Sequence, residues 1–218
     1  YTNGGNWSGT GGLAPAAGDS VNISGGDEHV RVYGQDTGYF GKLHLANAAG
    51  DSNVQLTVES DGTLQGQGVA LRVGVGAGSE GILNTEGTIS GSGFAMQIGH
   101  SGTGIVNQIS GDVSVPENLI LALFSDSNGV YNLHSGTMSC KALVLARKGV
   151  GTFNIYDGTA EVQQSIYIPQ YEGTASLRIR GGTLIGNSGL SVGASGVGAV
   201  EMTSGSVNIT SSLSVGGG

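Results

Sequence analysis

The chain has 218 residues, of which 43 are Gly and 3 are Pro, and no Gly-X-Y period accompanies them, so a collagen-type triple helix is excluded. Its 16 acidic and 8 basic residues give a formal net charge of −8, which argues against nucleic acid or an anionic membrane surface as a partner, because both are bound through a basic face. No apolar run approaches the roughly 18 residues of a membrane-spanning helix, so we expect no membrane insertion.

The residue usage favours a protein that acts outside the cell. Ser, Thr, Asn and Gly dominate the polar positions, and the chain begins at Tyr1, as a mature exported protein would. Cys140 is the single cysteine, so no internal disulfide can form, and stability must come from packing and backbone hydrogen bonds. We therefore expect an extracellular or cell-surface location.

Residues 1–28 differ from the rest of the chain. They contain the single tryptophan, Trp7, and a turn-rich run around Pro15, and then a strand-like alternation at Val21 and Ile23. Because the end of a repeat stack must be covered, we predict that residues 1–28 form an N-terminal cap and enter a first, irregular coil, with Trp7 as the covering side chain. A flexible leader is the alternative.

Residues 29–218 repeat with a period of 22 to 25 residues, which two independent markers reveal. The first marker is a corner glycine followed by Thr, Asp or Ser, found at Gly62, Gly87, Gly111, Gly136, Gly158, Gly182 and Gly205. The second is the first apolar residue of the strand that follows, at Leu71, Met96, Leu121, Leu143, Ile166, Leu190 and Leu213. The two markers agree to within about a residue per repeat.

Each repeat holds three short segments of alternating apolar residues, the pattern of strands with one buried face. In the segment 151–162, Phe153 and Ile155 mark one strand, and Ala160 and Val162 mark the next. An antiparallel sandwich would not keep equivalent apolar residues in three separate registers. We predict an all-β, single-domain parallel β-helix (β-solenoid) with three short strands per coil of about 22–25 residues, and we expect it to be right-handed.

Four asparagines occupy one outward position in successive repeats: Asn84, Asn107, Asn132 and Asn154. Stacked in register, their amides can each donate to one neighbour and accept from the other. We predict a structural asparagine ladder; a ligand-binding row is the alternative.

Two segments carry a family resemblance: Leu190-Ser-Val-Gly193-Ala-Ser-Gly196-Val-Gly198 and Met96-Gln-Ile-Gly99-His-Ser-Gly102-Thr-Gly104. Both resemble the L-x-V-G-x-x-G-x-G repeat of exported bacterial β-helix proteins of the autotransporter-passenger type. The resemblance covers nearly the whole chain, but it is one of architecture. It implies a secreted or surface-attached bacterial β-helix and implies no particular activity.

The sequence predicts neither a metal site nor a cofactor. The four histidines fall in different repeats without a second ligand at metal-binding spacing. Cys140 alternates with Met138 on the inward side of a predicted strand, so we interpret it as a buried packing thiol and not a nucleophile.

A second group could bind glycans, because tyrosine rings beside arginines can stack on sugars. Its members lie in neighbouring repeats: Tyr156, Tyr167, Tyr171, Arg178 and Arg180. The alternative is an ordinary solvated face. A polysaccharide lyase or hydrolase is the third candidate function, and it would need carboxylates and bases that converge on one face.

The sequence breaks off one strand into a new repeat, where an uncovered coil would expose a sheet edge and apolar core to another chain. We therefore expect a non-enzymatic extracellular structural protein that assembles head-to-tail with itself into a fibre or surface layer, with a carbohydrate-binding adhesin as the alternative. The residues predicted at this assembly interface are Tyr1, Trp7, Leu13, Leu213 and Val215.

Overall fold

The computed structural model describes residues 18–32 and 37–216. Within these residues the chain forms 23 β-strands and no helix. It winds into a single-domain parallel β-solenoid of about eight coils, and each complete coil contributes to three columns of stacked strands. The predicted all-β parallel β-helix is therefore confirmed. At about 4.8 Å per coil, the stack is roughly 40 Å long.

The strands of the first column are β1 (Ser20–Ile23), β8 (Ala95–Ile98), β11 (Leu119–Leu121), β14 (Leu143–Leu145), β17 (Ile166–Ile168), β20 (Leu190–Val192) and β23 (Leu213–Val215). Those of the second column are β2 (His29–Val32), β4 (Val54–Val58), β6 (Glu80–Thr85), β9 (Thr103–Gln108), β12 (Asn128–Leu133), β15 (Val150–Ile155), β18 (Thr174–Ile179) and β21 (Val197–Met202). Those of the third column are β7 (Thr88–Ser92), β10 (Asp112–Val115), β13 (Thr137–Cys140), β16 (Thr159–Val162), β19 (Thr183–Gly186) and β22 (Ser206–Ile209).

Two long strands join the third column to the first. They are β3 (Thr37–Leu45) and β5 (Thr63–Val73). Because each runs through both columns, the first and third columns form one 15-stranded sheet, while the second column is a separate eight-stranded sheet. Residues 1–17 of the predicted cap lie outside the described residues, and β1 already pairs with β3 as part of the first coil.

The corner glycines are equivalent in the structure, as the repeat predicts. The residues that follow them, Thr63, Thr88 and Asp112, are direct partners in neighbouring strands. Parallel pairing in constant register keeps apolar residues above their counterparts one coil away, so one face of the strand points into the core. The pairing of β3 with β5 is an exception, because its register shifts between Phe40 and Lys42.

One register prediction is wrong. The second marker placed Leu121 above Met96, whereas Leu119 is the partner of both Met96 and Leu143. Leu119, Leu121 and Leu123 alternate, so the sequence allows two registers that differ by two residues. The strand ends at Leu121 because Ala122 turns the chain with φ 51°, and the following loop has six residues (122–127) where its predecessor has four (99–102).

The inward side chains fill one continuous core. Most of its Leu, Ile, Val and Met residues are fully buried, and each contributes about 1.5–3 kcal/mol relative to an exposed position. Two aromatic pairs also pack in the core: Phe40 meets Phe94 edge-to-face at 5.4 Å between ring centroids, and Tyr131 meets Phe153 in the same way at 5.1 Å. The stability of the fold therefore comes from side-chain packing along the whole solenoid axis.

Candidate functional sites

The four asparagines of the second column form a continuous hydrogen-bonded row. Asn107 Nδ2 donates to Asn84 Oδ1 at 2.9 Å, and the next two coils repeat the contact at 2.8 Å. At this position of the register, Thr57 precedes Asn84 and Arg178 follows Asn154. The row therefore stops in both directions where another residue type replaces asparagine. These side chains bind one another along the axis.

A buried polar pair lies inside the core beneath this row, and sequence reasoning missed it. Tyr131 Oη donates to Gln108 Oε1 at 2.7 Å, while Gln108 Nε2 donates to the carbonyl oxygens of Gly111 (2.9 Å) and Thr137 (2.8 Å). Burial raises the pKa of Tyr131 well above its usual value. Gln108 occupies an inward position at which most other coils have an apolar residue. This polar residue in an apolar row was the sequence signal that could have predicted a buried hydrogen bond.

The predicted glycan-binding residues are distributed over several faces. Tyr167 points outward from β17 in the first column, and Arg178 points outward from β18, where its Nε is 3.7 Å from Glu201 Oε2. Tyr171 lies in the loop from the first column to the second. Only Tyr156 and Arg180 are in mutual contact, so the five residues do not form one platform.

Tyr156 and Arg180 belong to what we call the corner stack, together with His134. These residues directly follow β15, β18 and β12. The rings of His134 and Tyr156 are parallel, with centroids 4.7 Å apart and planes 3° apart, and Arg180 Cζ lies 5.8 Å from the Tyr156 centroid. Since His134 and Arg180 lie in the coils on either side of Tyr156, both faces of its ring are occupied.

A groove lies where the chain passes from the first column to the second in successive coils. Its volume is about 540 Å³, within the range of small-molecule sites. We call it the loop groove, and its lining is Leu123, Phe124, Arg147, Lys148, Tyr171 and Glu172. Of these, sequence reasoning singled out Tyr171 as a platform residue and missed Phe124 and the two cations. A signal was present, because Arg147 and Tyr171 are one repeat apart.

The loop groove is held by backbone hydrogen bonds between coils. The amide of Arg147 donates to the carbonyl of Ala122 at 3.0 Å, and that of Gln170 donates to the carbonyl of Ala146 at 3.2 Å. Both alanines have positive φ, 51° and 65°, a conformation that costs a residue other than glycine about 1–2 kcal/mol. The groove is therefore built on locally strained turns that the stacking of coils maintains.

A second groove of about 540 Å³ borders the third column, and Cys140 contributes to its wall. Lys141 and Glu117 also line it, and Lys141 Nζ and Glu117 Oε2 form an ion pair at 2.8 Å. Burial raises the pKa of the Cys140 thiol from 9.0 to about 12. The thiol is therefore protonated at neutral pH and lacks the reactivity of a thiolate.

On the outward surface of the first column, Arg72 contacts polar side chains of the two neighbouring coils. Arg72 Nε donates to Gln97 Oε1 at 2.8 Å, and its Nη1 lies 3.4 Å from His44 Nε2. Burial, followed by the charge of Arg72, lowers the pKa of His44 and of His100. Both folded-state pKa values lie below the unfolded ones, so their contribution to stability is present above about pH 6.5 and is lost as the pH falls.

The last coil differs from all earlier ones in exposure. Leu213 and Val215 are 64% and 73% exposed, whereas their partners one coil earlier, Leu190 and Val192, are 4% and 8% exposed. We call this surface the open end, and it consists of Val200, Met202, Val207, Ile209, Leu213 and Val215. Of the predicted assembly residues, Leu213 and Val215 belong to it, while Tyr1, Trp7 and Leu13 lie outside the described residues.

The described residues contain no group of three His, Cys, Asp or Glu side chains placed to hold a metal ion. The same part of the chain has no helix long and apolar enough to cross a membrane. The sequence matches no protein-family model, and comparisons with curated proteins and with solved structures find no significant match.

Proposed function

We propose that this protein is a non-enzymatic structural β-solenoid of the bacterial exterior, whose open end is covered by the first coil of a second copy. The observation that carries the proposal is the open end itself, where six side chains from all three columns occupy positions that are core in the preceding coils. Covering apolar surface of this kind contributes about 25 cal/mol per Å².

The backbone supports the same arrangement. Among the described strands, β21, β22 and β23 each pair with the preceding coil on one side only, so no described strand pairs with the outer edge of any column. A parallel sheet edge is a template for a further strand of matching length. A copy placed on this edge would continue all three columns together.

A contact between unlike ends propagates. Its two surfaces differ, so each added copy presents a new open end, and the product is an open fibre or layer instead of a closed dimer. The two ends are indeed different in exposure, because Val21 and Ile23 of the first coil are 8% and 7% exposed. Contact with the open end would thus involve the first coil.

The test places a charge in the open end. Leu213→Lys puts an ammonium group where the next copy would pack, and because Leu213 is largely exposed, the coil itself tolerates the change. We expect sedimentation velocity to show long assemblies for the wild type and single chains for Leu213→Lys. Val69→Lys is the matched control, since Val69 is 60% exposed on the side of the solenoid, and it should assemble normally.

A carbohydrate-binding adhesin is the second candidate, and the exposed aromatic and cationic side chains of the loop groove favour it. The corner stack favours it less, because His134 and Arg180 already cover the ring of Tyr156. Retained glycan binding by the Leu213→Lys variant would show that binding and assembly use separate surfaces.

A further inference from the structure

The loop groove presents two aromatic rings to solvent. Phe124 is 48% and Tyr171 is 44% exposed, whereas the other three phenylalanines pack in the core. Phe124 is fixed by an edge-to-face contact with His100 at 5.0 Å, and its backbone amide and carbonyl both bind Ser127 Oγ, at 3.2 and 2.6 Å. The ring is therefore positioned in advance for a ligand.

Positive charge is concentrated at the same place. The chain has 8 basic residues against 16 acidic ones, yet Arg147 and Lys148 are adjacent and both line the loop groove. Neither takes part in any of the three ion pairs found among residues 18–32 and 37–216. Arg147 Cζ lies 5.4 Å from the Tyr171 ring centroid, an arrangement that orients the guanidinium while leaving its charge unneutralised.

The combination selects one ligand chemistry. A sugar ring has an apolar face that stacks on an aromatic side chain, and a carboxylate matches the planar, forked donors of arginine. A neutral sugar would leave the two cations without a partner. A bare anion would leave Phe124 and Tyr171 without one, so only a ligand with both features uses the whole lining.

We propose that the loop groove binds a carboxylated polysaccharide. A sugar ring stacks on Tyr171 or Phe124, and the carboxylate of that sugar or its neighbour accepts hydrogen bonds from Arg147 and Lys148. Glu172 also lines the groove, so the lining carries one acidic and two basic side chains. This site is distinct from the open end, so binding does not depend on assembly.

Isothermal titration calorimetry with matched oligosaccharides tests the proposal. Hyaluronan and oligosialic acid carry carboxylates, whereas a chitin oligosaccharide of the same length carries none. We expect the two acidic probes to bind, with affinity that falls as salt is added, and the chitin probe to give no binding heat. Absence of binding by both acidic probes, or equally tight binding of chitin, would overturn the proposal.

Variants locate the site. Arg147→Gln and Tyr171→Ala should each weaken binding of the acidic probes about tenfold or more, the loss expected for one charge-assisted hydrogen bond or one stacked ring. Arg180→Gln and Tyr156→Ala are matched controls, because they remove the same residue types from the corner stack. The controls should bind as the wild type does.

The variants also distinguish specific contact from bulk charge. Arg147→Gln and Arg180→Gln change the net charge equally, so equal weakening by both would contradict a site at the loop groove. Since Arg147 is exposed and outside any described ion pair, Arg147→Gln leaves the coil intact, which an unchanged thermal melt verifies.

Discussion

The residue that directly follows each strand of the first column determines how the coil turns. In most coils this residue has positive φ: Gly74, Gly99 and Gly193 do so at 69–70°, and Ala122 and Ala146 do so at 51° and 65°. The positive φ thus explains why the L-x-V-G motif has glycine at its fourth position. Where alanine replaces it at Ala122 and Ala146, the strained residue directly precedes residues that line the loop groove.

Two reciprocal substitutions test this reading. A Cβ at Gly99 would lie 2.2 Å from the carbonyl oxygen of Asn128, so Gly99→Ala should lower the free energy of unfolding by about 2–4 kcal/mol. Ala122→Gly relieves an unfavourable φ but loses a buried methyl group and makes the unfolded chain more flexible. We expect its change to stay below about 1 kcal/mol. Urea unfolding measures both, and equal losses would contradict the argument.

The buried thiol predicts a pH dependence. Because the pKa of Cys140 is raised from 9.0 to about 12 by burial, the unfolded chain releases this proton before the folded one does. Stability is therefore fully present below pH 9 and falls as the pH rises toward 12. Between pH 8 and pH 10 the wild type should lose about 1.4 kcal/mol more than Cys140→Ala does. Identical pH slopes for the two proteins would show that the thiol is not buried.

At the scale of the strand, the asparagine ladder couples four neighbouring coils. Asn132 accepts from Asn154 and donates to Asn107, so Asn132→Ala removes two hydrogen bonds and takes the ladder partner from Asn154 Nδ2 and from Asn107 Oδ1, while Asn107 still donates to Asn84. We expect a loss of about 1–2 kcal/mol in the free energy of unfolding. Asn208→Ala, at an exposed outward position of β22, should change it by less than about 0.5 kcal/mol. A similar loss in both variants would exclude a special role for the ladder.

The elements were predictable to the extent that they repeat. Alternation within a strand and a period near 24 residues specify which side chains point inward, and the ladder follows from one outward position that recurs. The register error at Leu119–Leu123 arose because leucines at three alternating positions allow two registers. The longer loop that follows selects one of them, and the length of that loop cannot be read from the repeat period.

The candidate site was less predictable, for a related reason. Phe124, Arg147 and Tyr171 lie in loops of unequal length, so no fixed motif spacing joins them. They meet only because coils stack about 4.8 Å apart. Tyr167 and Arg178 were grouped with Tyr171 by proximity in sequence, but strand alternation and the turn direct them to other faces.

At the scale of the whole molecule, the solenoid has one feature that a closed globular domain avoids, which is a core that reaches the surface at the open end. Every earlier coil covers its predecessor, and the same interaction repeated between copies would extend the stack by about 40 Å per chain. The proposed assembly would therefore use the same kinds of contact that hold the fold together.

Hydrogen–deuterium exchange over a range of protein concentrations tests this claim most directly. If a second copy covers the open end, amides of β21, β22 and β23 become more protected as concentration rises, while amides in the loops that line the loop groove exchange at a constant rate. Rapid exchange of these three strands at every concentration, with sedimentation as a single chain, would contradict assembly through the open end.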